Sequence, residues 1–311
     1  MNRGNLNLAG CTFLSLTFFG TLTGTLLGAS CGGLEETQPA TLQQELFTPP
    51  STTELVTLSA ATKPTLDEVY RRFTTRKDVR DTIVLSKSGT YDFSGILHIW
   101  KGKAGGCAQL ENGSQILRIE ADNVVVKNFA FRGDGKDGST TLGDPIHVTT
   151  CGTGQGNLCS RPGPKQVVLD GIIGHACEDL LTATSPGGDN VTIQNSILFA
   201  NPQAKYRDKT IQFNFGKNFV VKNNTFVDGE RCTRFKPNTS GLLEGNTFWD
   251  CAYPSRISSD DADISPMKNG PVTVRLKGNQ FKGCKSAISK SGADAKIIDD
   301  GGNSFGCSRG F

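Results

Sequence analysis

The stretch KNFVVKNNTF (217–226) runs through Phe219, Val220 and Val221, halts at Lys222-Asn223-Asn224, and resumes with Thr225-Phe226. An apolar, β-branched run this short reads as a strand rather than a helix. The polar residues mark a turn. The same unit recurs in DNVVVKNFAF (122–131), KQVVLDGII (165–173), DNVTIQNSILF (189–199), SGLLEGNTF (240–248) and PVTVRLKGNQF (271–281). Aligned on the polar slot, the copies place Asn128, Asp170, Asn195, Asn223, Asn246 and Asn279 in one column. The slots recur roughly every 20–40 residues, the period of a solenoid.

Helical repeats need long segments of 3.6-residue period, and leucine-rich repeats need regular leucines. Neither pattern is present. The expected fold is all-β: a single-stranded, right-handed parallel β-helix in which Val, Ile and Phe face inward and form a continuous core. Asparagines at equivalent corners are expected to stack as a hydrogen-bonded ladder. Unequal spacings mark loops of unequal length, and loops on a rigid scaffold are where sites sit. One amphipathic segment precedes the repeats, TLDEVYRRFTTR (65–76), with capping-box spacing at Thr65 and Glu68. It is expected to form a short N-terminal capping helix.

The chain has 311 residues, 37 of them Gly and only 2 each Met and Trp, which favours a turn-rich β fold over a bundle. A net charge of +3 creates no global field for nucleic acid. An acidic ligand would have to meet a local basic cleft. Residues 1–31 read as an export signal: Arg3 gives a basic start, CTFLSLTFFGTLTGTLLG an apolar stretch, and Gly28-Ala29-Ser30 small residues. Leu27-Gly28-Ala29-Ser30-Cys31 also resembles a lipoprotein box, so ordinary cleavage and a lipid anchor at Cys31 both stay open. Residues 32–62, rich in Thr, Gln, Glu and Pro, are expected to be a flexible linker, and 63–311 the β-helix catalytic domain. The protein is expected to be secreted and monomeric. Apart from Cys11 and Cys31, eight cysteines remain: Cys107, Cys151, Cys159, Cys177, Cys232, Cys251, Cys284 and Cys307. An even set in an exported chain points to disulfides. Cys151 and Cys159 are close enough to staple one loop.

HACEDLLT (175–182) sets Glu178 and Asp179 beside Leu180-Leu181, and GDPIHV (143–148) sets Asp144 before the strand of an earlier coil. Coils stack about 4.8 Å apart, so these acids can converge. Three carboxylates together repel unless a cation joins them, and Ca²⁺ takes such oxygens as ligands. Neighbours in a straight strand face opposite ways, so Glu178 and Asp179 can share an ion only if the chain bends there. Lys209, Arg231 and Arg234 follow one and two coils later. A metal face adjoining a cationic face suits an acidic polysaccharide. His147 and His175 read as packing residues, and the run DDAD (260–263) as a solvated loop.

These segments, in this order over about residues 105–240, resemble a pectate lyase of polysaccharide lyase family 3, with family 1 pectate lyases a close second. GDPIHV resembles D-G-[IV]-H-C, ACEDLLT resembles G-E-D-A-L-T, RDKTIQFN (207–214) resembles D-K-V-F-Q-x-N, and ERCTRF (230–235) resembles G-K-L-V-R-Q. The resemblance implies Asp144, Glu178 and Asp179 as calcium ligands, Lys209 and Arg231 as cleft cations, and Arg234 as the catalytic base. Pro145 stands where the family has Gly, Arg231 where it has Lys, and TCGTGQGNLCSRPGPK (150–165) is inserted between the first two metal segments. The implied activity is calcium-dependent β-elimination in polygalacturonate, favoured at alkaline pH. Two readings of other classes stay open. One is a glycoside hydrolase on the same solenoid, using paired carboxylates. The other is a β-helix that binds acidic polysaccharide without cleaving it.

Overall fold

The computed structural model describes residues 51–104, 115–136, 138–150, 162–175, 179–183, 188–200, 209–262 and 268–311. These belong to one unit that begins at Thr48. Three parallel sheets of nine, eight and eight strands wind together, and each strand pairs with the one a full coil earlier and a full coil later. The coil built around the opening stretch shows the plan. Phe219–Lys222 lies in the third sheet, Thr225–Val227 in the first and Arg231–Phe235 in the second. Its neighbours are Thr192–Gln194, Ile197–Phe199 and Lys209–Phe213 before it, and Ser240–Glu244, Thr247–Trp249 and Tyr253–Ser258 after it. The expected parallel β-helix is therefore the fold.

Alternation sorts the side chains. In the first sheet Phe226, Phe248, Phe281 and Phe305 point inward and stack with planes 4–8° apart. Stacked rings one rung apart fill the core without voids, each adding a specific aromatic contact to its buried area. Gly174 continues this inward column. A Cβ there would lie 2.2 Å from the Phe131 ring, so only glycine lets that ring lie flat.

The asparagine column divides on inspection of the backbone. Asn128, Asn195 and Asn223 adopt left-handed φ of 51–56°, and Gly171, Gly245 and Gly278 take the same corner at 64–76°. Asp170 instead ends its strand. Asn246 and Asn279 belong to the next position along, which is buried. There Ser196, Asn224, Asn246, Asn279 and Asn303 form the ladder. The Nδ2 groups of Asn224, Asn246 and Asn279 each donate to the following rung's Oδ1 and to a backbone carbonyl of the preceding coil, as Asn246 does to Asn279 and to Val221. The expected ladder exists, but one residue later than the alignment placed it. The motif is a pair, a left-handed residue then a buried amide, and only Asn223-Asn224 shows both as asparagine.

Two helices precede the coils. Leu66–Tyr70 starts at the Thr65–Glu68 capping box, as expected. It does not cap the solenoid's end. Val69 and Tyr70 pack on Leu97, Ile99, Ala130 and Ile173, the outer face of the first sheet. The linker expectation fails for Thr52–Ala61, which is a helix with its own capping box at Ser51 and Glu54. Leu55 and Val56 join the same cluster, Trp249 donates its indole N–H to Ser59 O, and Lys63 bridges Asp228 and Asp250 at 2.6 Å each. The first sheet carries Ile197, Phe199 and Val227 outward, and helical cover keeps that apolar face from water.

Two disulfides join Cys232 to Cys251 and Cys284 to Cys307. Each spans about one coil, so each staples neighbouring rungs. The proposed staple Cys151–Cys159, with Cys107, Cys177 and residues 1–31, lies outside the described residues. Among the described residues no helix is long and apolar enough to cross a membrane.

Candidate functional site

The helices pack on the first sheet and not on the second. Its inward column runs Ile146, Leu181, Ile211, Thr233, Ser255 on successive rungs. The next residue of each strand points out, giving the column His147, Thr182, Gln212, Arg234, Arg256. A polar and cationic row on one face of a solenoid needs a reason, because outward β positions on a core sheet have no packing demand for arginine.

Two residues before the inward column stands a second row. Counting back from Ile146, Leu181 and Ile211 gives Asp144, Asp179 and Lys209. Lys209 pairs with Arg231, and Arg231 with Tyr253. The chain thus lines up Asp144, Asp179, Lys209, Arg231 and Tyr253 along one edge of the sheet, two acids followed by two cations. Arg234 stands three residues beyond Arg231 in the outward row. From Asp179 to the rung of Arg234 is two rungs, roughly 10 Å. Four of the six residues singled out from sequence thereby share this row, and Arg234 stands in the adjoining one. The sixth, Glu178, lies outside the described residues, as does the side chain of Lys209.

The acid end is tightly built. The Asp179 backbone N–H donates to Asp144 Oδ1 at 3.2 Å. Asp144 Oδ2 lies 3.7 Å from His147 Nε2, and His147 Nδ1 meets Gln115 Nε2 at 3.1 Å. Asp179 is 5% exposed. His147 therefore does more than pack: it faces the acids. Among the described residues no three His, Cys, Asp or Glu side chains gather as a metal site. Two hard-oxygen carboxylates on adjacent rungs do match the donor chemistry of Ca²⁺, which takes several oxygens. They would supply only part of the shell such an ion needs.

The cationic end holds a partner that the sequence reading assigned to solvent. Arg234 is 6% exposed. Its Nη1 donates to Gln212 Oε1 at 3.0 Å, and its Nη2 to Asp261 Oδ2. Arg256 Nη2 approaches the same Asp261 oxygen at 3.7 Å. Burial by itself would raise the Asp261 carboxyl. The hydrogen bond from Arg234, with the charges of Arg234, Lys236 and Arg256, outweighs burial and holds it below the usual carboxylate range. Lys236, two residues past Arg234, is fully buried. Asp261 is the second acid of the DDAD run, so that run is not simply a solvated loop. Sequence reasoning missed it because the residue lies outside any strand, three positions beyond Ser258.

No protein-family profile matches the chain, and no curated protein does. Solved structures do align with it. The tailspike protein gp49 of Acinetobacter baumannii bacteriophage Fri1, a capsular polysaccharide depolymerase, is 12% identical over 75% of this chain, with a TM-score of 0.40. The chain spans less than half, 45%, of that tailspike. An alginate lyase from Paenibacillus is 9% identical over 83% of this chain and 98% of its own, with a TM-score of 0.33. An endo-xylogalacturonan hydrolase from Aspergillus tubingensis is 12% identical over 76% of this chain and 89% of its own, with a TM-score of 0.28.

Proposed function

We propose that the chain is a secreted, calcium-dependent lyase of acidic polysaccharide, with polygalacturonate as substrate and β-elimination as the reaction. The observation that carries this reading is the register at the strand starts of the second sheet: Asp144 and Asp179, then Lys209 and Arg231, with Arg234 in the adjoining row. The motifs that resemble pectate lyases fall on these positions. Hydrolysis would use the acids but leaves the cations without a task.

The chemistry asks for that order. The proton on C5 of a uronate is α to a carboxylate, and it is weakly acidic while that carboxylate keeps its charge. Calcium held by Asp144, Asp179 and Glu178 would supply a Lewis acid for the carboxylate. Lys209 and Arg231 would supply the positive charge that stabilises the enolate-like species as it forms. Arg234 takes the C5 proton. The C5–H electrons then form the C4=C5 bond, the C4–O bond breaks, and the departing oxygen is protonated from water. An arginine is a weak base below a pH of about 12, so activity rises with pH. The two disulfides fit export, where such bonds persist. Residues 1–31 are the proposed export signal, with lipidation at Cys31 as its variant form.

The decisive assay incubates the protein with polygalacturonate and calcium and follows ultraviolet absorbance of unsaturated product. Rising absorbance that a chelator abolishes is expected. New reducing ends without absorbance would make the protein a hydrolase, and binding without either would make it a non-catalytic β-helix.

A further inference from the structure

Asp261 lies against the cationic row and belongs to none of the motifs that suggested the site. It follows the strand Tyr253–Ser258 and returns its carboxylate to the outward row, where Oδ2 accepts from Arg234 Nη2 and lies 3.7 Å from Arg256 Nη2. Lys236 adds positive charge from just past the end of the Arg234 strand. Gln212, on the preceding rung, fixes the other guanidinium nitrogen but carries no charge. Asp261 is thus a carboxylate presented to two arginines on successive rungs, and it is half-buried among them. Its short side chain and planar, two-oxygen head are what a uronate would present to the same pair. Its neighbour Asp260 is turned elsewhere, accepting from Ser291 Oγ at 2.7 Å, so the return of Asp261 is specific to that residue.

We propose that Asp261 is a resident counter-anion of the cleft: it positions Arg234 against Gln212 and yields Arg256 to a carboxylate of the incoming acidic polysaccharide. The inference rests on the proposed acidic-polysaccharide site, and it adds a specificity device to that site. With Asp261 in place, a neutral sugar gains nothing by entering the row, because it cannot replace the ion pair that it would break. A polyuronate replaces one carboxylate with another and meets no such penalty. The cost of displacement is subtracted from the affinity of every acidic ligand, so removing the anion must tighten binding.

The test compares the full chain with Asp261→Asn, which keeps the shape and an oxygen acceptor but loses the charge. Calorimetry measures the binding of an oligogalacturonate without calcium, and ultraviolet absorbance measures turnover with it. Binding and KM are expected to tighten about fivefold in Asp261→Asn, the effect of one nearby charge at a partly exposed site. Turnover falls at the same time, because Arg234 loses one of its two anchors. A merely structural role would lower turnover without improving KM. Unchanged or weaker binding in the folded variant overturns the proposal. If the wild type makes no unsaturated product while Asp261→Asn still binds more tightly, the lyase reading falls and this one stands. If product forms but binding does not tighten, the reverse holds. Should Asp261→Asn fail to fold, a crystal structure of the wild type with bound oligogalacturonate decides. Arg256 Nη2 is expected on a uronate carboxylate, and Asp261 still facing Arg256 with no uronate there overturns the proposal.

Discussion

The backbone N–H of Asp179 donates to Oδ1 of Asp144, 3.2 Å away on the preceding rung. This bond ties the Asp144 side chain to the backbone of the next rung, at Asp179. His147 Nε2 lies 3.7 Å from the other Asp144 oxygen. A divalent cation bound here would take oxygens from both acids. Asp144→Asn and Asp179→Asn are therefore each expected to lower calcium affinity about 100-fold or more, beyond what loss of an outer partner costs. Calorimetric titration with calcium measures it directly. Wild-type affinity in both variants would remove these residues from the metal site.

The buried ladder should carry more stability than the corner beside it. Asn246 accepts from the backbone N–H and the side chain of Asn224 and donates to Asn279 and to Val221 O. Asn246→Ala strands partners on both sides in a dry core, and a loss of about 3 kcal/mol is expected. Asn223, one residue earlier, needs only its left-handed φ of 53°. Glycine supplies that freely, so Asn223→Gly is expected to stay within about 1 kcal/mol of the wild type. Denaturant unfolding of the two variants compares them. Equal losses would mean that the two positions are not distinguished as the backbone indicates.

The repeat itself was legible because coil length and alternation are local properties. The strands at 219–222 and 272–277 can be read from Val, Ile and Phe alone. Which asparagine faces inward was not, because Asn128 and Asn246 occupy similar local strings and differ only in φ, one at 56° and the other next to Gly245 at 64°. The helix at Thr52–Ala61 could have been found. Ser51 and Glu54 repeat the capping-box spacing recognised at Thr65 and Glu68, but the polar composition around them argued for a linker. The order of acids and cations along the site was also legible, since rung follows rung in sequence. Asp261 was not: its pairing depends on how the chain turns back after Ser258, and no local pattern encodes that return.

Acid should weaken the fold through His175. Burial pushes this imidazole down to about 4 from 6.5, with Asp134 opposing and Lys136 and Arg132 reinforcing the shift. Between those values the unfolded chain takes up a proton that the folded chain refuses. Stability is thus complete above about 6.5 and declines as pH falls toward 4, by about 3 kcal/mol at most for this one group. Thermal melting of wild type and His175→Asn across that range tests it. The variant, with nothing to titrate there, is expected to show a flatter profile. Parallel profiles would assign the acid sensitivity to other groups.

Arg234 is held at both terminal nitrogens, by Gln212 and by Asp261, and is nearly excluded from solvent. Such a guanidinium is poised rather than free to wander, as a group that must meet one C–H bond requires. Arg234→Ala is expected to lower turnover about 1,000-fold, within the range of a lost general base. Arg234→Lys keeps a cation, but its single ammonium cannot match the planar fork that reaches both partners. It is expected to bind polygalacturonate like the wild type and to turn over about 100-fold more slowly. The exposed pair Arg275–Asp300 on the third sheet provides the control: Arg275→Ala also removes a paired arginine and should leave turnover unchanged. Turnover on polygalacturonate and calorimetric binding, each checked against circular dichroism for folding, separate these cases. Full activity in a folded Arg234→Lys would leave Arg234 an electrostatic role and place the base elsewhere on the row.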